Sequence, residues 1–365
     1  MIGTMLAMHM ANELLSIPVA AVTLAVALGA VALAAVRAGK TLDSEKLPLM
    51  GVMGAFVFAA QMINFAVLPG TSGHLGGGVL LAILLGPAAG IVTMAAILIV
   101  QCLLFQDGGL LALGTNIINM GIVPCLLGWC AYKLMLGSGQ RAKAWRQYIA
   151  AWGACLVGVT LGAALVPVEA LASGVLKIPV ADFLTVMVGV HLLIGFVEGL
   201  ITFAVIAYIR SVRPSVLGLD EPEHSAKLSS KAMAGSLVVT ALLLGGVVSW
   251  FACEHPDGLE WSYQEKQYAQ ADSAVQNDSP VIASVDDWQA RWAPMSDYTR
   301  REASLGQLPD EDVQDSADAP ADQAAIAAVD GWVSLAGLLG TAVTLGIVYL
   351  VSALVRRRSG VSESA

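Results

Sequence analysis

Basic charge is what this chain lacks first: from Leu47 to Tyr132 there is no Lys or Arg, and only 13% of the 365 residues are charged. A soluble domain carries about 25% charged residues, so a water-facing globule is excluded. With 57% hydrophobic residues and a mean hydropathy of +0.73, the chain reads as a polytopic membrane protein. Cysteine is scarce as well. Of the five, Cys102, Cys125, Cys130 and Cys155 lie inside apolar runs, with neither the spacing of a zinc knuckle nor the context of a secreted disulfide framework, and read as small core residues. A phosphate-binding loop is missing: Gly39-Lys40-Thr41 echoes the end of one, but Ala34 stands where its first glycine belongs and no strand precedes it. There is no His-Glu-x-x-His sequence, which argues against a zinc protease, and no nucleic-acid partner is expected.

What is there is apolar runs punctuated by charge. The net charge of −9 averages unlike regions, since Asp and Glu crowd into residues 254–330 while Lys and Arg form short clusters between apolar runs. Residues 17–36 make a helix of about the ~20 residues needed to cross a ~30 Å hydrocarbon core. Arg37, Lys40 and Lys46 follow, so the positive-inside bias ends this helix in the cytoplasm and starts Met8-His9 outside. The next basic cluster is Lys133, Arg141, Lys143 and Arg146, so an even number of crossings lies between the two. Residues 49–68, 88–105 and 111–132 supply three. The fourth falls on residues 79–85, which are too few to span and are bounded by Gly76-Gly77-Gly78 and Gly86-Pro87. A broken or half-inserted helix fits. Such breaks survive where the freed backbone faces protein or a water-filled cavity, and they commonly mark a transporter's binding site.

Residues 148–168 and 183–209 complete seven crossings, and a polar cytoplasmic linker, 214–231, closes the first module. A second module, 232–355, carries helices at 232–251 and 332–355 on either side of an outer segment, 254–330, and residues 356–365 form a cytoplasmic tail. The predicted fold is therefore all-α: a seven-crossing bundle with a broken helix, followed by a two-helix C-terminal module, set in membrane lipid.

Two short polar segments amid the apolar runs, Met8-His9-Met10-Ala11-Asn12-Glu13 and Thr71-Ser72-Gly73-His74-Leu75-Gly76-Gly77-Gly78, contain two of the five histidines. Charge topology puts both on the outer side, with His74 at the mouth of the broken helix, and they are expected to meet around a metal ion. His191 and Glu198, seven residues apart, share a helix face two turns apart. Ionisable groups inside a membrane helix cost about 2.5–3.5 kcal/mol, so the pair is either a buried structural couple or part of the ion's surroundings, its path or a coupling contact. Asn116 and Asn119 either orient ligating imidazoles or stitch helices together, and Ser72 joins these candidates. Gln101 and Asp107 read as helix-packing and turn residues, and Met53, Met62 and Met120 as gap-filling core. Residues 262–330 start with scattered aromatics (Tyr263, Tyr268, Trp288, Trp292, Tyr298) and end in sequence such as Asp310-Glu311-Asp312. They read as a disordered linker whose negative field is either simply solvated or gathers cations.

Several of these segments carry a resemblance. Met8-His9-Met10 with Leu14-Leu15-Ser16, Gly70 to Leu75, Leu84-Leu85-Gly86-Pro87, Gln101 with Phe105-Gln106-Asp107-Gly108-Gly109, Leu113 to Met120, and His191 to Gly195 with Glu198-Gly199 stand in order along residues 8–213. That region resembles the substrate-binding membrane subunit of energy-coupling-factor cobalt/nickel transporters, the CbiM/NikM family. Pro256-Asp257-Gly258-Leu259-Glu260-Trp261 is similar to the PDGLE-type companion subunit of the same transporters, here fused to the first module.

The resemblance implies a planar nitrogen site in which the α-amine of Met8, the backbone amide of His9 and its imidazole form fused chelate rings that His74 closes. Four nitrogens suit Ni(II) or Cu(II) better than Mg(II) or Ca(II), which want oxygen. Residues 1–7 would turn the Met8 amine into an amide; they lack a basic n-region and are too few for a secretory signal, so translation is expected to start at Met8. The implied protein is no enzyme. It captures and translocates Ni(II) or Co(II) at a bacterial inner (plasma) membrane, while ATP hydrolysis comes from two cytoplasmic ATPase subunits acting through a coupling membrane subunit. A self-contained, ion-gradient-driven permease is the alternative that the broken helix also allows, and a metal sensor or storage module is a third.

Overall fold

In the computed structural model, which describes residues 9–41, 46–137, 143–219, 228–253, 255–263, 275–298 and 331–358, the apolar runs become helices. The first module comprises α1 (Ile17–Thr41), α2 (Lys46–Gln61), a hairpin of β1 (Phe65–Leu68) and β2 (Thr71–Gly73), the short α3 (Gly78–Leu85), α4 (Pro87–Phe105), α5 (Leu113–Leu136), α6 (Ala144–Ser173) and α7 (Val180–Val212). The second comprises α8 (Ser230–Gly246), α9 (Gly258–Tyr263), α10 (Pro280–Trp292) and α11 (Gly331–Arg358). Six of the described helices, α1, α4, α5, α6, α7 and α11, are long and apolar enough to cross a membrane, whereas α2 and α8 are apolar but only 16 and 17 residues long.

The outward faces confirm the solvent these helices are built for. On α1, Val22, Val26, Leu28, Leu33 and Val36 are exposed while Ala20, Ala27, Ala34 and Ala38 are buried. In lipid, burying a large apolar side chain gains little, and small residues let helix backbones approach. The reverse pattern marks α2. Every residue from Leu49 to Gln61 of this helix is buried, because α8 and α11 of the second module pack along it. Met233, Leu237 and Ala241 of α8 and Ala336 and Val348 of α11 share one core with Met50, Met53 and Phe58 of α2 and Ile97 of α4. At the crossing of α8 and α11 a side chain on Gly337 would run into the backbone carbonyl of Gly245. The two modules are thus separate in sequence and joined in packing.

The short segment predicted at residues 79–85 is α3, whereas the span expected over residues 49–68 is cut short: α2 stops at Gln61 and β1 of the hairpin takes up its end. The eight residues of α3 rise about 12 Å at ~1.5 Å each, under half of a ~30 Å core. Gly86, at φ 88°, ends α3, and Pro87 opens α4 at the first-turn position where its missing N–H costs nothing. α5 is interrupted differently, passing from α into π geometry over Ile117–Ile122 and Pro124–Gly128, a widening often found at functional sites. Three methionines behave as expected: Met53 and Met62 are buried and Met120 packs against the core. Cys102, Cys125 and Cys155 are buried too, but Cys130 is exposed.

One expectation fails. Residues 262–330 are not simply linker, since residues 275–298 include α10 and a turn ending at Tyr298, with Ile282, Gln289 and Tyr298 buried. An amphipathic stretch, opened by Pro280, had been hidden by the polar sequence around it. Residues 264–274 and 299–330, with the Asp310-Glu311-Asp312 run, lie outside the described residues.

Candidate metal centre

Residues 9–16 hold little secondary structure beyond a single 3-10 turn, Asn12–Leu14, so other groups must place them. Met10, Leu14 and Leu15 plug into a cluster with Ala163, Val166, Phe183, Met187 and Leu259. Polar clamps set the register. Asn116 grips the backbone of Met10 from both sides: Met10 N–H donates to its Oδ1 (3.0 Å), and its Nδ2 donates to the Met10 carbonyl (3.2 Å). Asn12 Oδ1 accepts from the amides of Leu111 (2.7 Å) and Ala112 (3.2 Å). The turn at Gly108 comes so close that a Cβ there would sit 2.9 Å from both Asn116 Nδ2 and His9 Cβ, and its φ of 87° already favours glycine.

His9 is buried, with Nδ1 donating to Asp107 Oδ1 at 2.6 Å, while Nε2 is buried with no hydrogen-bond partner among the described residues. The other Asp107 oxygen accepts from the Tyr298 hydroxyl, also at 2.6 Å. Burial by itself would push the Asp107 carboxyl up; the charge and hydrogen bond of His9 and the Tyr298 hydroxyl outweigh it and hold it below its ordinary value.

His74 is positioned by a different set of contacts. It follows β2, whose Ser72 is tied to the second module: Ser72 N–H donates to the Pro256 carbonyl (2.8 Å) and its hydroxyl to the His255 carbonyl (2.7 Å). On its other side Glu198 accepts from the amides of Gly76 (2.7 Å) and Gly77 (3.1 Å). Gln61 Nε2 donates to the Gly76 carbonyl (2.9 Å) and is itself braced by Gln101 (3.1 Å). His74 Nδ1 donates to the Leu75 carbonyl (3.1 Å), which leaves the lone pair on Nε2. That nitrogen lies 3.9 Å from Oδ2 of Asp257, a buried carboxylate whose pKa burial drives well above the usual range.

The two imidazoles stand with ring centroids 5.4 Å apart at 61°. Rings that share an ion through bonds of about 2.0–2.1 Å have centroids up to roughly 6 Å apart, so this spacing is compatible with a common ion. Both line a cavity of about 80 Å³, together with Asn116, Asn119, His191, Glu198 and Asp257. His191 Nδ1 donates to the Met187 carbonyl (2.8 Å), and Asn119 Nδ2 to Glu169 (2.8 Å), while Asn119 Oδ1 is buried with no hydrogen-bond partner among the described residues. Among the described residues no group of three or more His, Cys, Asp or Glu stands ready to hold an ion; a site here draws on backbone nitrogen as well, and Met8 lies outside the described residues.

Of the sequence-predicted candidates, then, His9, His74, Asn116, Asn119, His191 and Glu198 converge on one cavity, whereas Ser72 faces the second module. Asp107 was read as a turn residue and is instead the partner of His9. Neither Asp257 nor α10 was singled out. Gln289 of α10 donates to the carbonyls of Gly108 (2.9 Å) and Cys102 (3.0 Å), and Asn277 ahead of α10 to those of Glu13 (3.1 Å) and Leu15 (2.8 Å).

Residues 9–216 match the family described as the cobalt uptake substrate-specific transmembrane region, and residues 231–357 match the PDGLE domain. A putative fused nickel transport protein of Archaeoglobus fulgidus is 39% identical over 202 residues, 55% of this chain and 65% of its own length, so the chain spans just under two thirds of that relative. A probable fused nickel transport protein of Lactiplantibacillus plantarum is 30% identical over 247 residues, 65% of this chain and 72% of the relative. A solved structure described as a truncated transition metal transporter is 29% identical, with a TM-score of 0.42, covering 55% of this chain and 97% of that one.

Proposed function

Because the chain belongs to the family of cobalt-uptake substrate-specific transmembrane regions, with a PDGLE domain fused behind it, we propose that it captures Ni(II) or Co(II) and passes the ion across the membrane as the binding subunit of an energy-coupling-factor importer. Its relatives are described as fused nickel transport proteins. The observation that carries the reading is the pairing of His9 and His74, 5.4 Å between centroids, beside a broken helix. The ligands are the nitrogen of Met8, the backbone amide and imidazole of His9, and the imidazole of His74. Such donors select against Mg(II) and Ca(II). A cavity of about 80 Å³ has room for an ion together with bound water.

Ring closure between the His9 amide and imidazole goes through Nδ1, the atom that now donates to Asp107. Capture therefore exchanges that hydrogen bond for the ion, and Asp107 remains beside it as a negative charge. His191 and Glu198, on one face of α7 and both at the cavity, mark its continuation along the helix.

The site faces outside, at the inner membrane of a bacterial cell, and two cytoplasmic ATPase subunits drive uptake through a coupling membrane subunit. Uptake of labelled nickel and cobalt in cells lacking the partner ATPase tests this. Complete loss of uptake is expected; uptake that persists identifies a self-contained permease, and tight binding with no uptake in any background a sensor or store.

A further inference from the structure

Among the described residues, Asp257 is the one carboxylate of the second module that lines the cavity, and its geometry is unusual for a residue with a purely local task. It lies just ahead of α9, and its Oδ1 accepts from the Glu260 amide at 2.7 Å, as expected of a residue capping a helix. The other oxygen is turned away from that duty toward His74 Nε2, 3.9 Å off. That is too far for a hydrogen bond. It is, however, within reach of a shared ion: bonds of about 2.0–2.2 Å to nitrogen and oxygen put two donors on one ion at most roughly 4.3 Å apart.

The surroundings hold this oxygen in place. Asp257 is 5% exposed, and the strand pairing of Ser72 with Asp257 and the hydrogen bonds from Ser72 to His255 and Pro256 fix its backbone against β2, two residues before His74. Gly258 lies so near that a side chain there would meet Val190 at 2.6 Å and the His191 ring at 3.3 Å. Moving Asp257 would therefore require moving β2, and with it His74.

From this geometry we propose that Asp257 supplies an oxygen ligand to the ion held by His74, so that the fused second module donates to the metal site rather than only packing beside it. The inference rests on the reading of His9 and His74 as ligands. A planar set of four nitrogens satisfies Ni(II) without further donors, whereas an added carboxylate oxygen raises the coordination number and favours ions with less preference for the plane. Asp257 thus biases the site toward Co(II), and its loss penalises Co(II) more than Ni(II).

The test uses the purified full chain in detergent with Ni(II) and Co(II) salts, comparing Asp257→Asn, Asp257→Ala and His74→Ala by calorimetric titration and by the visible absorption of bound Co(II). Asn still caps a helix, so Asp257→Asn separates the ligand from the cap. The expected result is a Co(II) affinity at least tenfold weaker for Asp257→Asn, a Ni(II) affinity within about threefold of wild type, and shifted Co(II) bands. Wild-type Co(II) affinity and an unchanged Co(II) spectrum in Asp257→Asn overturn the proposal, as does an effect confined to Asp257→Ala. If His74→Ala abolishes binding while Asp257→Asn changes nothing, the functional reading stands and this inference falls; if His74→Ala also binds normally, both fall.

Discussion

The segments that carry His9 and His74 reach the same cavity by opposite means. Residues 9–16 have almost no structure of their own and are held by distant side chains: Asn116 and Asp107 from the first module, Asn277 and Asp286 from the second. Residues 71–77 are held by backbone pairing and one carboxylate: the hairpin with β1, the pairing of Ser72 with Asp257, and Glu198, whose carboxylate takes two backbone amides at the start of the broken helix. The difference teaches where each ligand is vulnerable. His74 depends on one carboxylate and the strand beside it; His9 depends on many weak ties, no one of which dominates.

The sharpest break in that comparison is removal of the ligands themselves. Loss of an orienting partner typically costs 10–100-fold in metal affinity, so His9→Ala and His74→Ala are each expected to exceed about 100-fold in nickel and cobalt titrations. Next comes Glu198→Ala, which leaves the buried Gly77 amide and the half-buried Gly76 amide without their acceptor, at about 1–3 kcal/mol for the buried one. It is expected to weaken affinity ~10–100-fold and to lower thermal stability, with Glu198→Gln recovering part of both by keeping one acceptor oxygen. For His9, Asp107→Asn removes the negative charge that stays beside the ion once His9 Nδ1 turns to it, and is expected to cost about tenfold in affinity while leaving stability nearer wild type. Smallest is Tyr298→Phe, which removes one hydroxyl from Asp107 yet keeps the ring stacked on Phe105 (4.7 Å, 15°); a change of a few-fold at most follows from a hydrogen bond worth ~1 kcal/mol. Equal effects for Asp107→Asn and Glu198→Ala would erase the distinction between the two segments.

Acidification gives the same comparison without mutation. Nitrogen ligands bind only when deprotonated, so capture weakens as pH falls, and affinity that stays constant from pH 8 to pH 5 would contradict nitrogen ligation.

Much of this was legible in the sequence, for definite reasons. The basic clusters on either side of residues 47–132 pointed to a short interrupted helix between Gly76 and Pro87, and histidine in polar islands of an apolar chain singled out His9 and His74. Glu198 was visible as an oddity, but its task was not, because its partners are backbone amides 121 and 122 residues away, and amides carry no signature. Asp107 looked like any turn aspartate beside two glycines. Asp257 and α10 were hidden for the opposite reason: acidic, polar sequence beside a membrane normally means solvated chain, and only the fold shows Gln289 and Tyr298 buried against the loop after α4.

The central claim is that both imidazoles bind one ion. X-ray absorption at the nickel edge, on full-length protein loaded with one equivalent of Ni(II), tests it most directly. The account predicts a nitrogen-dominated shell near ~2 Å with the outer-shell scattering of two imidazoles, reduced to one or none in His74→Ala. An oxygen-only shell, or a spectrum that His74→Ala leaves unchanged, would contradict it.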